Sequence, residues 1–508
     1  TGLPARELAW VASRLAESFN QWFARVPWRE YDLVGLSVCF NQLLASLATA
    51  RRLKKEYPGL PIVFGGSALA PDMTEALAHH AGIDFCICGE GELPLLRLCR
   101  FLLQGENEIR LPAGEQAARS EPPRLAASPA VPAKTCQIPH LDHLPVPDYG
   151  DYFAELKQVF GPSAFIPVLP VELSRGCWWR RCVFCNLNRQ WRGYRAKSGE
   201  RMARELTVLA QRHRCLDFAF ADNALPRRPR ERLFHRLANT AQDYRFFAEL
   251  RATDAKSFPR LARGGLARVQ VGIEALSNSL LARLGKGTTV LANVYAMKQA
   301  VEAGIALEGN LILEFPGTSQ AEINETLAAI NLLMPYPPLA PATFFLGADS
   351  PVAREPRRFG IRAVHAHPYL RRLLPFSLPF GVLAYRGDRT RQQRLWRPVR
   401  EALTAWQQAH RQRGGRCGLT WRAADSFLVI RQQRPDGTVL YHRLTSASAR
   451  IYRRLASPTP LAELCAAFPR FPASELRGFL DELARKGCVF RQDDTYLALA
   501  THDKGESI

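Results

Sequence analysis

The sequence predicts an α/β protein with three parts: a small parallel sheet, a partial barrel of six βα units, and a small α+β domain at the carboxyl end. Three observations support this fold class. Short apolar strands alternate with helices over residues 32–103, six more strands alternate with helices over residues 166–349, and a hairpin with two helices follows at 425–500. Short apolar strands separated by helices are typical of parallel sheets that are covered on both faces.

The composition excludes several classes of protein. The 508 residues are 47% hydrophobic and 23% charged, which is typical of a globular chain with about two to four domains. No segment approaches the roughly 18 consecutive apolar residues of a transmembrane helix. The chain begins at Thr1, and residues 1–20 have the pattern of an amphipathic helix rather than a signal peptide. We therefore expect a cytoplasmic protein with no membrane partner, whose amino-terminal domain is incomplete.

The net charge is strongly positive, 68 − 47 = +21, and arginine supplies most of it. Such a charge permits nucleic acid, an acidic peptide or an anionic cofactor as a partner. An arginine-rich genome would give the same bias without any partner. The charge alone therefore identifies no ligand.

In the amino-terminal region, glycines follow the ends of two predicted strands. Gly65 and Gly66 follow the second strand, and Gly89 and Gly91 follow the third. Glycine lets backbone approach a ligand closely, and ligands of parallel sheets bind at the carboxyl edge. The predicted elements are strands at 32–38, 61–64 and 83–88 and helices at 42–57 and 72–80.

Residues 104–150 predict a linker. Residues 104–135 are rich in Glu, Ala, Ser and Pro with little periodicity. The prolines of residues 140–149 predict an extended conformation there. The predicted domains are therefore 1–103, 151–375 and 376–508.

The middle region predicts an open, partial barrel. Six successive βα units place their chemistry at the carboxyl ends of the strands. The predicted strands are 168–174, 216–222, 245–252, 268–275, 307–314 and 341–348, and the predicted helices are 199–213, 228–240, 256–263, 290–303 and 319–333.

The carboxyl-terminal region predicts a small domain that is similar to a winged helix. An arginine-rich helical segment at 386–400 comes first, and a hairpin signal, Pro-Asp-Gly, follows at 435–437. Two helices at 460–467 and 473–486 and a last strand pair at 487–499 complete the pattern.

Three cysteines crowd together directly after the first barrel strand. Cys177, Cys182 and Cys185 are separated by four and by two residues, whereas the other nine cysteines are scattered. Three ligands do not complete a tetrahedral zinc site, and no nearby cysteine or histidine supplies a fourth. A [4Fe–4S] cluster held by three cysteines keeps one iron free. The spacing therefore favours iron–sulfur over zinc.

The cysteine loop, with Phe184 before its last cysteine, resembles the radical S-adenosylmethionine (SAM) superfamily, whose usual spacing is three and two residues. The phrases Ser-Arg-Gly-Cys-Trp-Trp (174–179) and Phe-Cys-Asn-Leu-Asn (184–188) are similar to cobalamin-dependent, class B members that mature ribosomally made peptides (RiPPs). Later segments resemble the same group, with Glu314 at a position where we expect glycine: 218–223, 247–251, 269–277, 284–287 and 310–317. Residues 37–42, 64–66 and 89–92 resemble its Rossmann-like cobalamin-binding domain.

The resemblance implies three cofactors: a [4Fe–4S] cluster on Cys177, Cys182 and Cys185, SAM on the free iron, and cobalamin. Strand alternation points Glu249 and Arg251 into the barrel. The residues implied as SAM contacts are Phe184, Asp222, Glu249, Arg251, Gly272 and Glu274. The residues implied as cobalamin contacts are Ser37, Asn41, Gly65, Gly66, Gly89 and Gly91.

The implied activity is methyl transfer to a carbon of a peptide or related natural product. A 5′-deoxyadenosyl radical would abstract a hydrogen atom, methylcobalamin would supply the methyl group, and a flavodoxin- or ferredoxin-type protein would supply the electron. Two alternatives stay open. One is a radical enzyme of the same build that epimerises or cyclises its peptide, and the other is a non-catalytic metal protein that binds nucleic acid. We favour methyl transfer over both alternatives. We do not expect nucleic acid as a partner.

Overall fold

The computed structural model describes most of the chain, in two compact units. The first unit extends to Ile138 and includes Trp191 and residues 366–368; the second contains the other described residues. The described residues are 4–39, 42–69, 73–74, 77, 82–104, 137–163, 165–187, 191, 193–368 and 382–503.

The first unit contains a three-stranded parallel sheet in the order β1-β2-β3, as the sequence predicts. Its register pairs Val34 with Ile62 and Ser37 with Gly65, so these strands end at one edge. β3 is shorter than the predicted strand at 83–88. The elements are β1 (Val34–Ser37), β2 (Ile62–Gly65), β3 (Phe85–Cys86), α1 (Ala5–Arg25), α2 (Leu43–Glu56) and α3 (Glu92–Gln104).

Of the helix predicted at 72–80, only residues 73, 74 and 77 are described, and they are helical. The core of this unit lies between the sheet and the helices, where Phe23, Leu53 and Phe64 are buried. Among the described residues of the whole chain, no helix is both long enough and apolar enough to cross a bilayer. The cytoplasmic location stays a prediction.

The second unit contains a six-stranded parallel sheet in the order β11-β10-β9-β8-β7-β4, so each strand pairs with the next one along the chain. β4 and β11 are the edges, which is the arrangement of an open barrel. The prediction of six βα units is thus confirmed. The strands are β4 (Leu169–Val171), β7 (Asp217–Phe220), β8 (Arg245–Leu250), β9 (Leu266–Glu274), β10 (Ala306–Leu313) and β11 (Ala340–Thr343).

The barrel helices begin at side-chain caps. Ser198, Thr289 and Ser319 each accept a hydrogen bond from a backbone N–H of the first turn, which satisfies a donor that the helix leaves open. The helices of this region are α4 (Gly150–Phe160), α5 (Gly199–His213), α6 (Arg227–Leu237), α7 (Phe258–Arg263), α8 (Asn278–Arg283), α9 (Val290–Ala303) and α10 (Gln320–Leu333).

Further elements follow the first and the last strands of the barrel. β5 pairs with β6 in a two-stranded hairpin, and β12, β14 and β13 form a small sheet in that order. These elements are β5 (Ser174–Arg175), β6 (Arg195–Ala196), β12 (Leu346–Gly347), α11 (Pro351–Arg354), β13 (Ala363–Ala366), β14 (Val382–Arg386), α12 (Arg389–Leu395) and α13 (Arg397–Gln412).

The carboxyl-terminal domain has two sheets, ordered β17-β16-β15-β21 and β18-β20-β19, with helices between them. The predicted hairpin is present, and Asp436 accepts a hydrogen bond from Thr438 N in its turn. The elements are β15 (Leu419–Ala423), β16 (Phe427–Gln433), β17 (Val439–Thr445), α14 (Ser446–Arg454), β18 (Thr459–Pro460), α15 (Leu461–Ala467), α16 (Ala473–Arg485), β19 (Val489–Gln492), β20 (Thr495–Ala498) and β21 (Thr501–His502).

This domain shares one hydrophobic core with the barrel. Tyr336, Trp406 and Tyr452 are fully buried in it. Lys298 of α9 donates a hydrogen bond to Ala456 O at 3.1 Å, which joins the barrel to the end of α14. The two parts are therefore packed as one body rather than joined by a linker.

Candidate cofactor sites

The cysteine loop leaves the barrel after β4 and carries three thiols. Cys177, Cys182 and Cys185 are partly buried, and none of them forms a disulfide. Burial raises the pKa of Cys182 to about 11, although the positive charges of Lys286 and Arg251 act in the opposite direction. Burial also raises the pKa of Cys185, and the nearby Cys177 thiol adds to that rise. The three thiols thus lie near one another and near two cations.

The three cysteines do not form a ready-made metal site. Within the described ranges, no three His, Cys, Asp or Glu side chains converge closely enough to hold a metal ion. The donor set still fits an iron–sulfur cluster, because it consists of three soft thiol ligands in one loop with cations beside them. The assignment of these cysteines as cluster ligands stays a prediction.

The cysteine loop is held by the turn between α8 and α9. Leu284 O accepts a hydrogen bond from Val183 N at 3.0 Å, and Gly285 O accepts one from Trp179 Nε1 at 2.8 Å. Both glycines of the Gly-Lys-Gly turn have positive φ, 66° at Gly285 and 61° at Gly287. The segment 284–287 resembles the family in sequence, but only the structure shows that it holds the cysteine loop.

The turn also lacks room for side chains at its glycines. A Cβ at Gly287 would lie 2.0 Å from the ring of Trp179, and one at Gly285 would lie 2.2 Å from Arg181 O. The turn and the loop therefore fit together only when both positions are glycine.

Replacing Gly287 by alanine should displace the cysteine loop, because the new Cβ overlaps Trp179. Gly304→Ala is a matched control: Gly304 also has a positive φ, 69°, but no atom of the described part of the chain lies within 4 Å of its Cβ position. Both variants pay the left-handed backbone cost of about 1–2 kcal/mol. Iron content after anaerobic reconstitution should fall only in Gly287→Ala, and equal iron contents in the two variants would refute the proposed fit.

Arg251 follows β8, and its guanidinium faces the cysteine loop. The guanidinium carbon lies 4.1 Å from the ring centroid of Trp179 and 5.3 Å from that of Trp178. Its Nη2 donates hydrogen bonds to the carbonyl oxygens of Lys286 and Gly287. Nε has no partner among the described residues, so one donor is left for a ligand.

Two carboxylates and one lysine meet at the ends of β8 and β9. Lys286 Nζ lies 3.0 Å from Glu274 Oε1, and a Cβ at Gly272 would lie 2.4 Å from the same Nζ. Burial raises the pKa of Glu249 to about 7, the charge of Glu274 adds to the rise, and Lys286 opposes it. Gly272, implied by the resemblance as a SAM contact, also leaves room for the side chain of Lys286.

Asp222 follows β7 and is almost fully buried. It accepts hydrogen bonds from Leu173 N at 2.9 Å and from the hydroxyl of Ser174. Burial raises its pKa to about 7, although these two hydrogen bonds lower it. Asp222 therefore connects the ends of β7 and β4 where the cysteine loop begins. Burial likewise raises the pKa of the neighbouring Tyr194 to about 12.

Stability should decrease as the pH rises toward 7, because of Asp222. Its pKa is higher in the folded chain than in the unfolded chain, so the folded state binds more protons between about pH 4 and pH 7. One such proton is worth about 1.4 kcal/mol per pH unit. Urea unfolding from pH 5 to pH 7 should show a shallower decrease for Asp222→Asn than for the wild type. The exposed Asp151→Asn variant is the control, and equal slopes for all three proteins would contradict the prediction.

The first unit brings the predicted cobalamin residues to one edge. Ser37 ends β1, Gly65 ends β2, and Gly89 and Gly91 follow β3. Among the described residues, no atom lies within 4 Å of a Cβ built at Gly65 or Gly91. Asn41, also predicted to contact cobalamin, lies outside the described residues.

Gly66 has a structural role at the same edge. Its φ is 106°, and a Cβ there would lie 2.8 Å from both the N and the O of Val38. Cys39, which follows Val38 in sequence, is not among the predicted cobalamin contacts. Burial raises the pKa of the Cys39 thiol, but hydrogen bonds with Ser67 and Ser37 outweigh burial and lower it overall.

The structure shows how Glu314 is accommodated at a position where glycine is expected. Its φ is 62°, the left-handed conformation that glycine adopts without cost. Its carboxylate forms an ion pair with Arg400 of α13. Arg400, at the end of the arginine-rich segment 386–400, is therefore paired with Glu314 rather than freely solvated.

Comparisons with known families agree with this architecture. Residues 171–330 match the Radical SAM superfamily, and residues 20–98 match the B12 binding domain. The chain thus has the two domains of a cobalamin-dependent radical SAM protein, whose cofactors are a [4Fe–4S] cluster, SAM and cobalamin. The two matches confirm the prediction of these three cofactors.

Two relatives match more than half of the chain. The chain is 26% identical over 330 residues to an uncharacterized methyltransferase of Pyrococcus horikoshii, covering 60% of this chain and 67% of that protein. It is also 26% identical over 302 residues to the anaerobic magnesium-protoporphyrin IX monomethyl ester cyclase of Rubrivivax gelatinosus, covering 58% and 53%.

Two solved structures share the fold at 18% identity. The cobalamin-dependent SAM radical enzyme OxsB with aqua-cobalamin and SAM bound gives a TM-score of 0.58 and covers 77% of this chain and 60% of its own. The radical SAM methyltransferase TsrM from Kitasatospora setae, with cobalamin and a [4Fe–4S] cluster bound, gives 0.54 and covers 76% and 80%. The chain spans between 53% and 80% of the length of these four proteins.

Proposed function

We propose that this chain is a cobalamin-dependent radical SAM methyltransferase that methylates a carbon of a ribosomally made peptide or a related natural product. One observation carries the proposal: a loop with three thiols stands at the carboxyl edge of a six-stranded barrel in a chain that also has a B12 binding domain. When bound, the cofactors supply the electron, the radical and the methyl group, while the protein positions them.

The chain's own residues have distinct tasks in this proposal. Cys177, Cys182 and Cys185 hold the cluster. Glu274 and Glu249 would accept hydrogen bonds from the amino group of bound SAM, and Trp178 would cover the cysteine loop against water. A flavodoxin- or ferredoxin-type protein is the electron donor.

The carboxyl-terminal domain supports a peptide as the substrate. Among the described strands, β17 lies at the edge of its sheet, so one side of its backbone has no paired strand there and can accept one. The register pairs Arg431 with Tyr441 and Val429 with Arg443, which places these side chains on one face together with Arg422.

This basic face suits an acidic, extended peptide. Tyr441 is 67% exposed, and none of Arg422, Arg431 and Arg443 forms an ion pair within the described part of the chain. Unpaired arginines attract carboxylates, while the open edge of β17 binds extended backbone. Edge and face together favour a peptide over a nucleic acid, which would use the charges alone.

The reaction is tested with SAM that carries a labelled methyl group and with a candidate peptide. We expect label in the peptide and both S-adenosylhomocysteine and 5′-deoxyadenosine, in roughly matched amounts, as by-products. 5′-Deoxyadenosine with an unlabelled product would indicate an epimerisation or cyclisation. S-Adenosylhomocysteine without 5′-deoxyadenosine would mean methylation without hydrogen abstraction.

Peptide docking is tested with a synthetic peptide of alternating acidic and apolar residues. Arg431→Glu and Arg443→Glu should each weaken its binding at least tenfold, since they reverse the charge beside β17. Arg470→Glu is the charge-matched control, because Arg470 is exposed outside this face. Equal losses in all three variants would indicate a general charge effect, and tighter binding of a short DNA would favour nucleic acid.

Cobalamin binding should depend on Gly65. A Cβ at Gly65 meets no atom of the described residues within 4 Å, so a valine there should occupy the ligand edge with little disturbance of the fold. Gly59→Val is the control, because Gly59 is equally open but precedes β2 at the opposite end of the strand. Corrin absorbance after reconstitution should fall in Gly65→Val only. Full corrin content in both variants would place the cofactor elsewhere.

A further inference from the structure

Lys286 stands between the cysteine loop and the carboxylates at the barrel edge. Its side chain is only 10% exposed, and its Nζ is paired with Glu274 at 3.0 Å. The charge of Lys286 acts on the thiols of both Cys182 and Cys185, and so does the opposite charge of Glu274. A charge in such a partly buried place is weakly screened by solvent.

The position of Lys286 does not depend on its own side chain. The backbone of the turn is fixed by hydrogen bonds from Trp179, Val183 and Arg251 to its carbonyl oxygens. The close approach of Gly287 to Trp179 adds a steric constraint. The charge of Lys286 can therefore be removed while the cysteine loop keeps its support.

We propose that Lys286, beside Arg251, is a counter-ion that raises the reduction potential of the cluster on the cysteine loop, with Glu274 as its opposing charge. This inference rests on the proposed function, since it assumes the cluster. Reduction transfers one electron from a low-potential donor to the cluster and adds one negative charge there, with no bond formed or broken. A cation stabilises that added charge and raises the potential, and an anion lowers it.

The test is a potentiometric titration of the reconstituted full-length chain, followed by electron paramagnetic resonance, with dithionite as the reductant and without SAM. Lys286→Met should make reduction about tenfold less favourable, ~59 mV for a one-electron couple. Lys286→Arg should restore most of the loss, because it keeps the charge. Glu274→Gln should shift the potential in the opposite direction.

Opposite shifts distinguish a counter-ion from a structural role, because damage to the fold would not raise the potential in one variant and lower it in the other. Lys256→Met is the control for removal of an exposed positive charge on the barrel. A fully loaded Lys286→Met with the wild-type potential would overturn the inference. If Lys286→Met does not load, the titration of Glu274→Gln decides, and an unchanged potential there overturns it. A wild type that builds no cluster would overturn the proposed function itself.

Discussion

Replacing Cys177, Cys182 and Cys185 together by alanine is expected to abolish the iron–sulfur cluster and all reductive cleavage of SAM. The three thiols are the soft ligands of the loop, and the loop has no fourth cysteine to take their place. Iron and acid-labile sulfide after anaerobic reconstitution, together with the charge-transfer absorbance in the visible range, measure the loss.

Cys465→Ala is the matched control for this experiment. Cys465 is a partly buried cysteine of α15 in the carboxyl-terminal domain, so it reports on nonspecific iron binding by thiols. It should keep the wild-type iron content. A triple variant that retains a full cluster would show that the ligands are other residues.

Glu205→Ala is expected to lower the free energy of unfolding by about 3–5 kcal/mol. Glu205 is fully buried in α5, and its two carboxylate oxygens each lie 2.9 Å from Lys197 Nζ. Arg201 forms a second ion pair with it at 3.0 Å. Removal of the carboxylate leaves two buried cations without their partner, which is far more costly than loss of an exposed pair.

Urea unfolding, followed by tryptophan fluorescence, measures this change. Glu401→Ala is the control, since its ion pair with Arg397 is largely exposed and should change stability by less than about 1 kcal/mol. Similar losses in the two variants would mean that burial does not govern the strength of these pairs.

Much of the fold is predictable because its signals are local. The barrel strands appear in the sequence as short apolar runs, and the caps at Ser198, Thr289 and Ser319 precede the helices that they begin. The spacing of the three cysteines is local in the same sense. Strand alternation likewise places Glu249 near the site without any knowledge of tertiary contacts.

The rest of the site depends on contacts between distant segments. Lys286 reaches Glu274 and the cysteine loop only because its turn, about a hundred residues after the loop, folds back onto Trp179. The segment 284–287 resembles the family in sequence, but nothing local shows that it contacts the cysteine loop. Glu314 shows the same limit, because its partner Arg400 lies 86 residues away.

Because the barrel and the carboxyl-terminal domain share one core, the length of a docked peptide would determine which of its residues reaches the cysteine loop. Lys298 and Tyr336 anchor the domain to the barrel through backbone carbonyls, so β17 keeps a constant distance from the cysteine loop. A peptide docked on β17 would then span that distance with its own backbone, at about 3.3 Å per extended residue. Under the proposed function, the site of methylation is counted in residues from the docked segment, and residues inserted between the two would move the methyl group along the peptide by the same number.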